Sequence, residues 1–305
     1  AGQSFIEIFN SLFSYTSYPS LFAKNSKFVV KNSVFQNTPT NAISIYSSKD
    51  FLIERSTFNN INDTAIQILD ESTGTIHKNT ISKVSGNGIY CHNSSVNIKK
   101  NEIFDMTFPA IAITSQSKAS IFGNKVSSIK YSGICVRHAK EVMIEESEIN
   151  DINESGVSIS DTDSCFIQKN KITNCKITAI EAYNRSNVYI NNNIISNMEN
   201  HAFLVYTNGF MKAENNTICD VKNEMIKMSY KGGGEFINNK ISNCLKQCDC
   251  QTSSSYLLFG NGDFKSVTND RSKISDENSI DFVDSTFDNE LLCIKCHKRK
   301  RNCYL

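Results

Sequence analysis

The sequence predicts an all-β fold built from stacked repeats, and three observations lead to that prediction. A small residue recurs every 22 or 23 residues along most of the 305-residue chain. Between these small residues, apolar and polar side chains alternate, which is the period of a strand and not of a helix. The prolines, Pro19, Pro39 and Pro109, fall only between predicted strands, where a missing backbone donor breaks no ladder hydrogen bond. Self-similarity at this period indicates a solenoid whose repeats pack on their neighbours.

The small residues mark the start of each coil. They are Ser20, Ala42, Ala65, Gly88, Ala110, Gly133, Gly156, Ala179 and Ala202, with Met225 as the exception. Each coil holds three short apolar segments, of which Ile43/Ile45 and Phe51/Ile53 are examples. Three strands per coil, each stacked in parallel on its equivalent about 4.8 Å away, make a single-stranded right-handed parallel β-helix. We therefore predict about ten coils of 22 to 23 residues over residues 1–247, followed by an irregular C-terminal tail.

An asparagine follows the second strand of most coils, at a position predicted to face inward. The column consists of Asn79, Asn101, Asn124, Asn170, Asn193, Asn216 and Asn239, with Ser33, Ser56 and Ser147 in other coils. Asparagine side chains hydrogen-bond the backbone of tight turns, so the column is predicted to satisfy polar groups that a buried bend leaves unpaired. This structural role is favoured over a ligand role because asparagine is the residue that such turns prefer.

The coil pattern resembles the repeat of the right-handed parallel β-helix superfamily over about residues 4–247. That superfamily includes pectate lyases, polygalacturonases and alginate epimerases, and also the non-catalytic β-helix repeats of certain F-box proteins and cytokinesis adaptors. The resemblance implies the fold. It leaves two classes of function open, sugar chemistry and protein binding, because one fold supports both.

The net charge and the cysteine pattern argue against two classes of protein and favour a reducing compartment. The net charge of +1 argues against a general nucleic-acid-binding protein and against a membrane-surface protein. Of the 11 cysteines, Cys91, Cys165 and Cys175 fall on inward columns, while Cys135 and Cys219 are predicted to face outward alone. Because they follow no pairing pattern, we expect reduced thiols and a cytoplasmic or nuclear location. The chain begins in the second half of a coil, so we also expect a missing N-terminal region.

The predicted outward columns beside the first and second strands lack two features of sugar enzymes. Hydrolysis needs two carboxylates that face one bond, and lyase chemistry needs a base beside a group that neutralises the substrate carboxylate. Neither column supplies a pair. The third strand carries alternating charges at Glu102, Lys125, Glu148 and Lys171, which we interpret as a structural ladder. His77, His92 and His201 have no comparable neighbours in the pattern.

The turn after the first strand has the richest group of chemically capable residues. The group consists of Arg137, His138, Asp161, Glu181, Tyr183 and Tyr206. Tyrosine, arginine and histidine are typical of protein-recognition hot spots, and aromatic plus charged groups would also suit a sugar. A solvated turn of mixed charge fits the same residues. As a functional site, the group is predicted to bind a protein target, with no catalytic residue and no cofactor assigned to the β-helix.

The last residues hold the sharpest short motif. We divide them into a capping segment and polar linker, residues 248–290, and a zinc-like segment, residues 291–305. Cys293 and Cys296 have the C-x2-C spacing of a zinc knuckle. This spacing, followed by a basic stretch, resembles the opening of a RING finger. The resemblance implies a zinc ion at these two cysteines and a ubiquitin-conjugating enzyme as partner. Another zinc module and a metal-free tail remain open.

Two functions follow from these observations. The first is a non-enzymatic β-helix that recognises a protein target, as the substrate-recognition part of a RING-type ubiquitin ligase, with ligase activity only if the RING is completed beyond this chain. The alternative is a carbohydrate-active β-helix enzyme, either a polysaccharide lyase or a glycoside hydrolase. No nucleic-acid or membrane partner is expected for either function.

Overall fold

The computed structural model describes residues 4–251, 256–260, 263–267, 279–287 and 290–295, with side chains over residues 5–244. In this part of the chain every regular element is a β-strand. No helix there is long and apolar enough to cross a membrane. The chain divides into two compact units, Ala1–Ser158 (unit 1) and Ile159–Leu305 (unit 2), and each is taken by itself.

Unit 1 repeats three strands per coil. The first strands are β3 (Leu21–Lys24), β6 (Ile43–Tyr46), β9 (Ile66–Leu69), β12 (Ile89–His92), β15 (Ile111–Thr114) and β18 (Ile134–Arg137). The second strands are β1 (Ser4–Phe9), β4 (Ser26–Lys31), β7 (Phe51–Glu54), β10 (Thr73–His77), β13 (Ser95–Lys99), β16 (Lys118–Phe122) and β19 (Glu141–Glu145). The third strands are β2 (Leu12–Ser14), β5 (Val34–Thr38), β8 (Thr57–Ile61), β11 (Thr80–Val84), β14 (Glu102–Met106), β17 (Lys125–Ile129) and β20 (Glu148–Ile152). Strand β21 (Ser155–Ser160) spans the boundary between the units.

The second strands of unit 1 stack in parallel and in register, with one apolar column facing inward. Ile53 pairs with Ile76, Ile76 with Ile98, and each following strand adds its equivalent isoleucine. These side chains are fully buried. Buried aliphatic side chains in register supply the apolar area that stabilises each coil on the next. The predicted inward isoleucine column and the period of about 23 residues are confirmed.

Unit 2 repeats the same three-strand coil. The first strands are β24 (Thr178–Tyr183) and β27 (His201–Tyr206). The second strands are β22 (Ser164–Gln168), β25 (Asn187–Asn191), β28 (Phe210–Glu214) and β30 (Gly233–Ile237). The third strands are β23 (Lys171–Cys175) and β26 (Ile194–Met198), and the longer β29 (Thr217–Ser229) and β31 (Lys240–Gln251) each join a third strand to the next first strand. Parallel pairing of equivalent strands continues, as between β25 and β28.

Four further strands follow in unit 2. They are β32 (Tyr256–Gly260), β33 (Asp263–Val267), β34 (Ser279–Phe287) and β35 (Glu290–Lys295). Strand β32 pairs in parallel with β30 and with β34, whereas β34 and β35 are antiparallel. Strands β32 to β34 lie within the range that we predicted to be a capping segment and linker. The division of the chain at residues 247 and 290 stays a prediction.

The asparagine column forms a continuous hydrogen-bonded ladder within each unit. In unit 1, Asn79 Nδ2 donates to Asn101 Oδ1 at 3.0 Å and to the carbonyl oxygen of Ile53 at 2.9 Å. In unit 2, the backbone N–H of Asn193 donates to Asn216 Oδ1 at 2.8 Å. The column members are nearly fully buried. Each amide therefore satisfies backbone groups of the preceding coil, as predicted from the sequence.

A second ladder, made of serines, lies in unit 1 at the turn between the first and second strands. The backbone N–H of Ser48 donates to Ser72 Oγ at 3.1 Å, and that of Ser72 donates to Ser94 Oγ at 3.1 Å. Ser94 continues the pattern to Ser117. Each serine hydroxyl accepts a backbone N–H from the preceding coil and donates to a carbonyl oxygen of its own turn. The backbone polar groups of this bend are therefore also hydrogen-bonded within the protein, without water. We did not predict this ladder from the sequence.

Candidate functional site

The strongest chemical cluster lies on the outward face of the second strands of unit 2. Lys212 of β28 is directly opposite Glu235 of β30 and two residues before Glu214 on its own strand. Residues two apart on a strand share a face, so all three side chains project on the same side. We call Lys212, Glu214 and Glu235 the carboxylate–lysine cluster.

The two carboxylates of the cluster contact the same ammonium group. Lys212 Nζ lies 3.1 Å from Glu214 Oε1 and 3.8 Å from Glu235 Oε2. The two carboxylate oxygens are therefore less than about 7 Å apart, an upper bound that is compatible with the separation of about 5 to 5.5 Å in retaining glycosidases. All three side chains are about one third exposed. A ligand on this face would reach them without any strand moving.

Charge fixes the protonation state of the lysine. The hydrogen bond to Glu214, together with the charges of Glu214 and Glu235, raises the pKa of Lys212. The ammonium therefore stays protonated at neutral pH and is not available as a general base. Two carboxylates against one ammonium leave the cluster with one net negative charge.

An aromatic pair adjoins the cluster on the same face. Tyr189 of β25 lies opposite Lys212 in register, and Phe166 of β22 lies opposite Tyr189. The two rings stack with centroids 5.0 Å apart and planes 16° apart. Tyr189 is 39% exposed. The strand register therefore places apolar ring surface one strand away from the charged groups.

Reading the outward columns from the sequence missed this cluster. Each outward column contains one equivalent position from every coil. The column that contains Lys212 and Glu235 therefore includes only one carboxylate of the cluster, Glu235. The second carboxylate, Glu214, lies two residues further along the same strand and contacts Lys212 there. The alternation of side chains along a strand predicts this shared face, so the signal was present in the sequence.

The predicted binding residues fall in both units. In unit 1, Arg137 ends β18 and His138 follows it with a φ of 52°, and both side chains are exposed. In unit 2, the structure brings together Glu181, Tyr183 and Tyr206. The hydroxyl group of Tyr206 donates to Glu181 Oε1 at 2.6 Å, and the rings of Tyr183 and Tyr206 stack 5.0 Å apart.

Asp161, the remaining predicted binding residue, begins a turn of unit 2. Its φ is 47°, and its backbone N–H donates to the carbonyl oxygen of Asn184 at 3.1 Å. The structure thus brings the side chains of Glu181, Tyr183 and Tyr206 together, and it shows a backbone hydrogen bond for Asp161. A binding role for the six residues stays a prediction.

Three histidines have partners that the sequence pattern did not reveal. His77 Nδ1 lies 3.1 Å from Glu54 Oε1 in unit 1, and Lys31 Nζ lies 3.2 Å from Glu54 Oε2. His92 lies within hydrogen-bonding distance of the hydroxyl groups of Tyr90 and Thr114. In unit 2, His201 lies against the carbonyl and the carboxylate of Glu224. Apart from Tyr90, which is on the same strand as His92, these partners lie one coil away and are 22 or 23 residues distant in the chain.

The predicted zinc ligands fall at the edge of what the structure describes. Cys293 lies in β35, where side chains are not described, and Cys296 lies outside the described residues. A zinc ion at this pair stays a prediction, as does the cytoplasmic or nuclear location. Among the described residues, no group of three or more His, Cys, Asp and Glu side chains is placed to hold a metal ion.

A second surface feature, in unit 1, is an open groove of about 760 Å³ over the second strands. We call it the unit 1 groove. Its outward lining residues belong to two rows that cross successive strands. They are Asp50, Thr73, Ser95, Lys118 and Glu141 in one row, and Leu52, Thr75, Asn97, Ser120 and Met143 in the other. The volume lies within the range of ligand sites in proteins, about 300 to 1,000 Å³.

Comparison with known proteins agrees with the fold. The family described as "Right handed beta helix region" matches residues 1–130 and 87–231. No curated protein matches the chain. Among solved structures, the chain is similar to the periplasmic alginate epimerase AlgG, with 14% identity and a TM-score of 0.57 over 89% of this chain and 79% of that chain.

Two further solved structures give the same result. They are the A-modules of the Azotobacter vinelandii mannuronan C-5 epimerases AlgE6 and AlgE4, with 11% and 10% identity and TM-scores of 0.54 and 0.51. The matches cover 94% and 91% of this chain and 91% of each A-module. Similarity at these identities shows a shared fold.

These findings correct the main functional prediction. We expected a non-enzymatic β-helix that binds a protein target for a RING-type ubiquitin ligase, and that prediction is wrong because the similar solved structures are carbohydrate epimerases. The family match extends over more than half of the residues, in agreement with the parallel three-strand coils of both units. The chain belongs to the right-handed β-helix family.

Proposed function

We propose that this protein is a carbohydrate-active β-helix that hydrolyses a glycan at the carboxylate–lysine cluster of unit 2. The observation that supports it most is the meeting of Glu214 and Glu235 at one ammonium group, one strand away from an exposed aromatic ring. The fold adds support, since similar structures are epimerases that act on alginate and mannuronan.

The carboxylate pair has the composition that glycoside hydrolysis requires. One carboxyl group donates a proton to the glycosidic oxygen as the bond from that oxygen to the anomeric carbon breaks. The other takes a proton from water, or attacks the anomeric carbon directly, so that the hydroxyl group of water ends on the sugar. Lys212 holds both carboxylates on the strand face and stabilises whichever of them is ionised.

The charge of the site favours hydrolysis over the lyase alternative. A lyase must neutralise the substrate carboxylate and withdraw a proton from the adjacent carbon. In this cluster the ammonium group of Lys212 is already paired with two carboxylates, and its raised pKa keeps it from acting as a base. The ammonium group is therefore not free to neutralise a uronate. A neutral glycan is therefore the substrate that the site accommodates best.

The aromatic pair has a binding role in this proposal. The C–H face of a sugar ring is apolar and packs on the exposed part of an aromatic ring, while its hydroxyl groups face polar neighbours. Tyr189 offers such a surface beside Lys212. A sugar packed there would place the next glycosidic bond over β28, which carries Glu214, with Glu235 on the following strand β30.

The test is product release from a panel of polysaccharides that includes β-glucan, mannan, xylan and alginate. The parent protein is expected to release new reducing ends from a neutral polymer. Glu235→Gln and Glu214→Gln remove one carboxylate each while keeping the side-chain shape. Each is expected to lower kcat about 100-fold or more with little change in KM, because a proton-transfer group and not a binding group is lost.

The matched control is Glu148→Gln, which removes an exposed carboxylate from β20 on the third-strand face. It is expected to leave kcat unchanged. Products with unsaturated ends would favour the lyase alternative. The proposal fails if no polymer is cut, or if both carboxylate variants release product as fast as the parent.

A further inference from the structure

The unit 1 groove is floored by polar side chains whose hydrogen-bonding groups are unused. Thr75, Ser95, Asn97 and Ser120 make no side-chain hydrogen bond to any residue that the structure describes. This contrasts with the third-strand face, where Asn59 Nδ2 donates to Ser82 Oγ on the next strand at 2.9 Å. The groove therefore offers free donors and acceptors along consecutive strands.

The ends of the groove are apolar or charge-compensated. Leu52 and Met143 close the row that contains Thr75, Asn97 and Ser120. At one end of the other row, Lys118 Nζ lies 3.2 Å from Glu141 Oε2. At the opposite end, Asp50 Oδ2 lies 3.9 Å from Lys27 Nζ. Each charge lining the groove thus has an opposite charge beside it, and the groove presents no net field to an anion or a cation.

The spacing of these groups is regular. Adjacent strands lie about 4.8 Å apart, so Thr75, Asn97 and Ser120 present one hydroxyl or amide group at each step. This step is close to the length of one sugar in an extended glycan chain. Hydroxyl and amide groups both donate and accept, as sugar hydroxyls do, so the chemistry at each step is complementary.

We propose that the unit 1 groove is a second, non-catalytic binding site for an unbranched neutral glycan, which lies across the strands with about one sugar per strand. The apolar ends pack against sugar C–H faces, and the hydroxyl and amide groups of the floor bind sugar hydroxyls. This inference rests on the proposed glycan activity and adds the class of glycan and the place where the polymer is held.

Binding is measured by calorimetry with two probes, cellohexaose as a neutral hexasaccharide and a mannuronate hexasaccharide as an anionic one. All proteins carry Glu235→Gln, so that the probe stays intact. Ser120→Phe fills the groove from an outward position on β16, where an aromatic side chain suits a strand. The matched control is Ser127→Phe on the outward face of β17. Circular dichroism and unfolding midpoints confirm that each variant is folded.

The neutral probe is expected to bind the parent background, and Ser120→Phe is expected to weaken it at least about tenfold while Ser127→Phe does not, since only the former fills the groove. Asn97→Ala should weaken it less, because one polar group is lost and the groove stays open. Equal binding of both probes, equal effects of the two Phe variants, or no binding of cellohexaose would overturn the inference. The proposed hydrolysis fails separately, if restoring Glu235 adds no cleavage.

Discussion

Asn193 lies in a buried turn of unit 2, where its side chain links neighbouring coils. Its Oδ1 accepts the backbone N–H of Asn170 at 2.8 Å, and its Nδ2 donates to the carbonyl oxygen of Ile167 at 2.8 Å and to Asn216 Oδ1 at 3.0 Å. Only 1% of the residue is exposed, so water does not replace these partners. Replacing the amide by an apolar side chain tests whether the asparagine ladder stabilises the stack.

The size of the effect follows from the groups left behind. Asn193→Leu leaves the N–H of Asn170 and the carbonyl of Ile167 buried without the amide. Each unsatisfied group costs about 1 to 3 kcal/mol, so the loss of both should lower the free energy of unfolding by about 2 to 6 kcal/mol. Asn193→Ser should cost about half as much. A serine in the same column, Ser147, still accepts the N–H of Asn124 at 3.2 Å.

The assay is urea unfolding followed by circular dichroism, with Asn187→Leu as the control. Asn187 is exposed at the start of β25 and makes one side-chain hydrogen bond, at 3.2 Å to the carbonyl of Asp163. The expected order of midpoints is parent and Asn187→Leu, then Asn193→Ser, then Asn193→Leu. A midpoint for Asn193→Leu equal to that of the parent, or a serine variant as unstable as the leucine variant, would refute the reasoning.

Two further predictions concern a half-buried carboxylate and a buried thiol in unit 1, and a thiol in unit 2. Burial acts to raise the pKa of Glu54, but the hydrogen bonds from Lys31 and His77 bring it below its ordinary value of 4.5. Its stabilisation is therefore fully present above about pH 4.5 and is lost progressively as the pH falls through the lowered pKa. In urea unfolding, Glu54→Gln should cost more stability at pH 7 than at about pH 3. Equal costs at the two pH values would contradict this. Burial raises the pKa of Cys91 to about 12, so Cys91→Ser should leave the count of thiols that react with Ellman's reagent at neutral pH unchanged, whereas replacing the half-buried Cys219 should lower it. Loss of a reactive thiol in Cys91→Ser would be the contrary result.

The sequence alone predicts the coil and its interior. The repeat of small residues and the alternation of apolar residues place Ile53, Ile76 and Ile98 in one inward column, where the structure has them. The asparagine column was predictable for the same reason, because a repeated turn demands the same residue in each coil. Both columns follow from a local residue pattern that recurs at a fixed period, so each stacked coil repeats the same buried residues.

Function was harder to predict because it depends on contacts between coils. Lys212 and Glu235 are 23 residues apart in the chain and become neighbours only through strand register. The pairing of His77 with Glu54 has the same origin. The C-x2-C spacing at Cys293 and Cys296 was a clear local motif, yet the function inferred from it is the one that the comparisons overturned.

The sequence by itself thus determined the period, the strands, the buried columns and the turn residues. Only the tertiary structure decided which outward side chains meet, because each contact depends on the side chains that strand register brings from the neighbouring coil. Glu214 joins Lys212 by lying two residues along the strand, and Glu235 joins it across the ladder. The free hydrogen-bonding groups of the unit 1 groove also became visible only there, since hydrogen bonding of a polar side chain is set by what lies beside it in space.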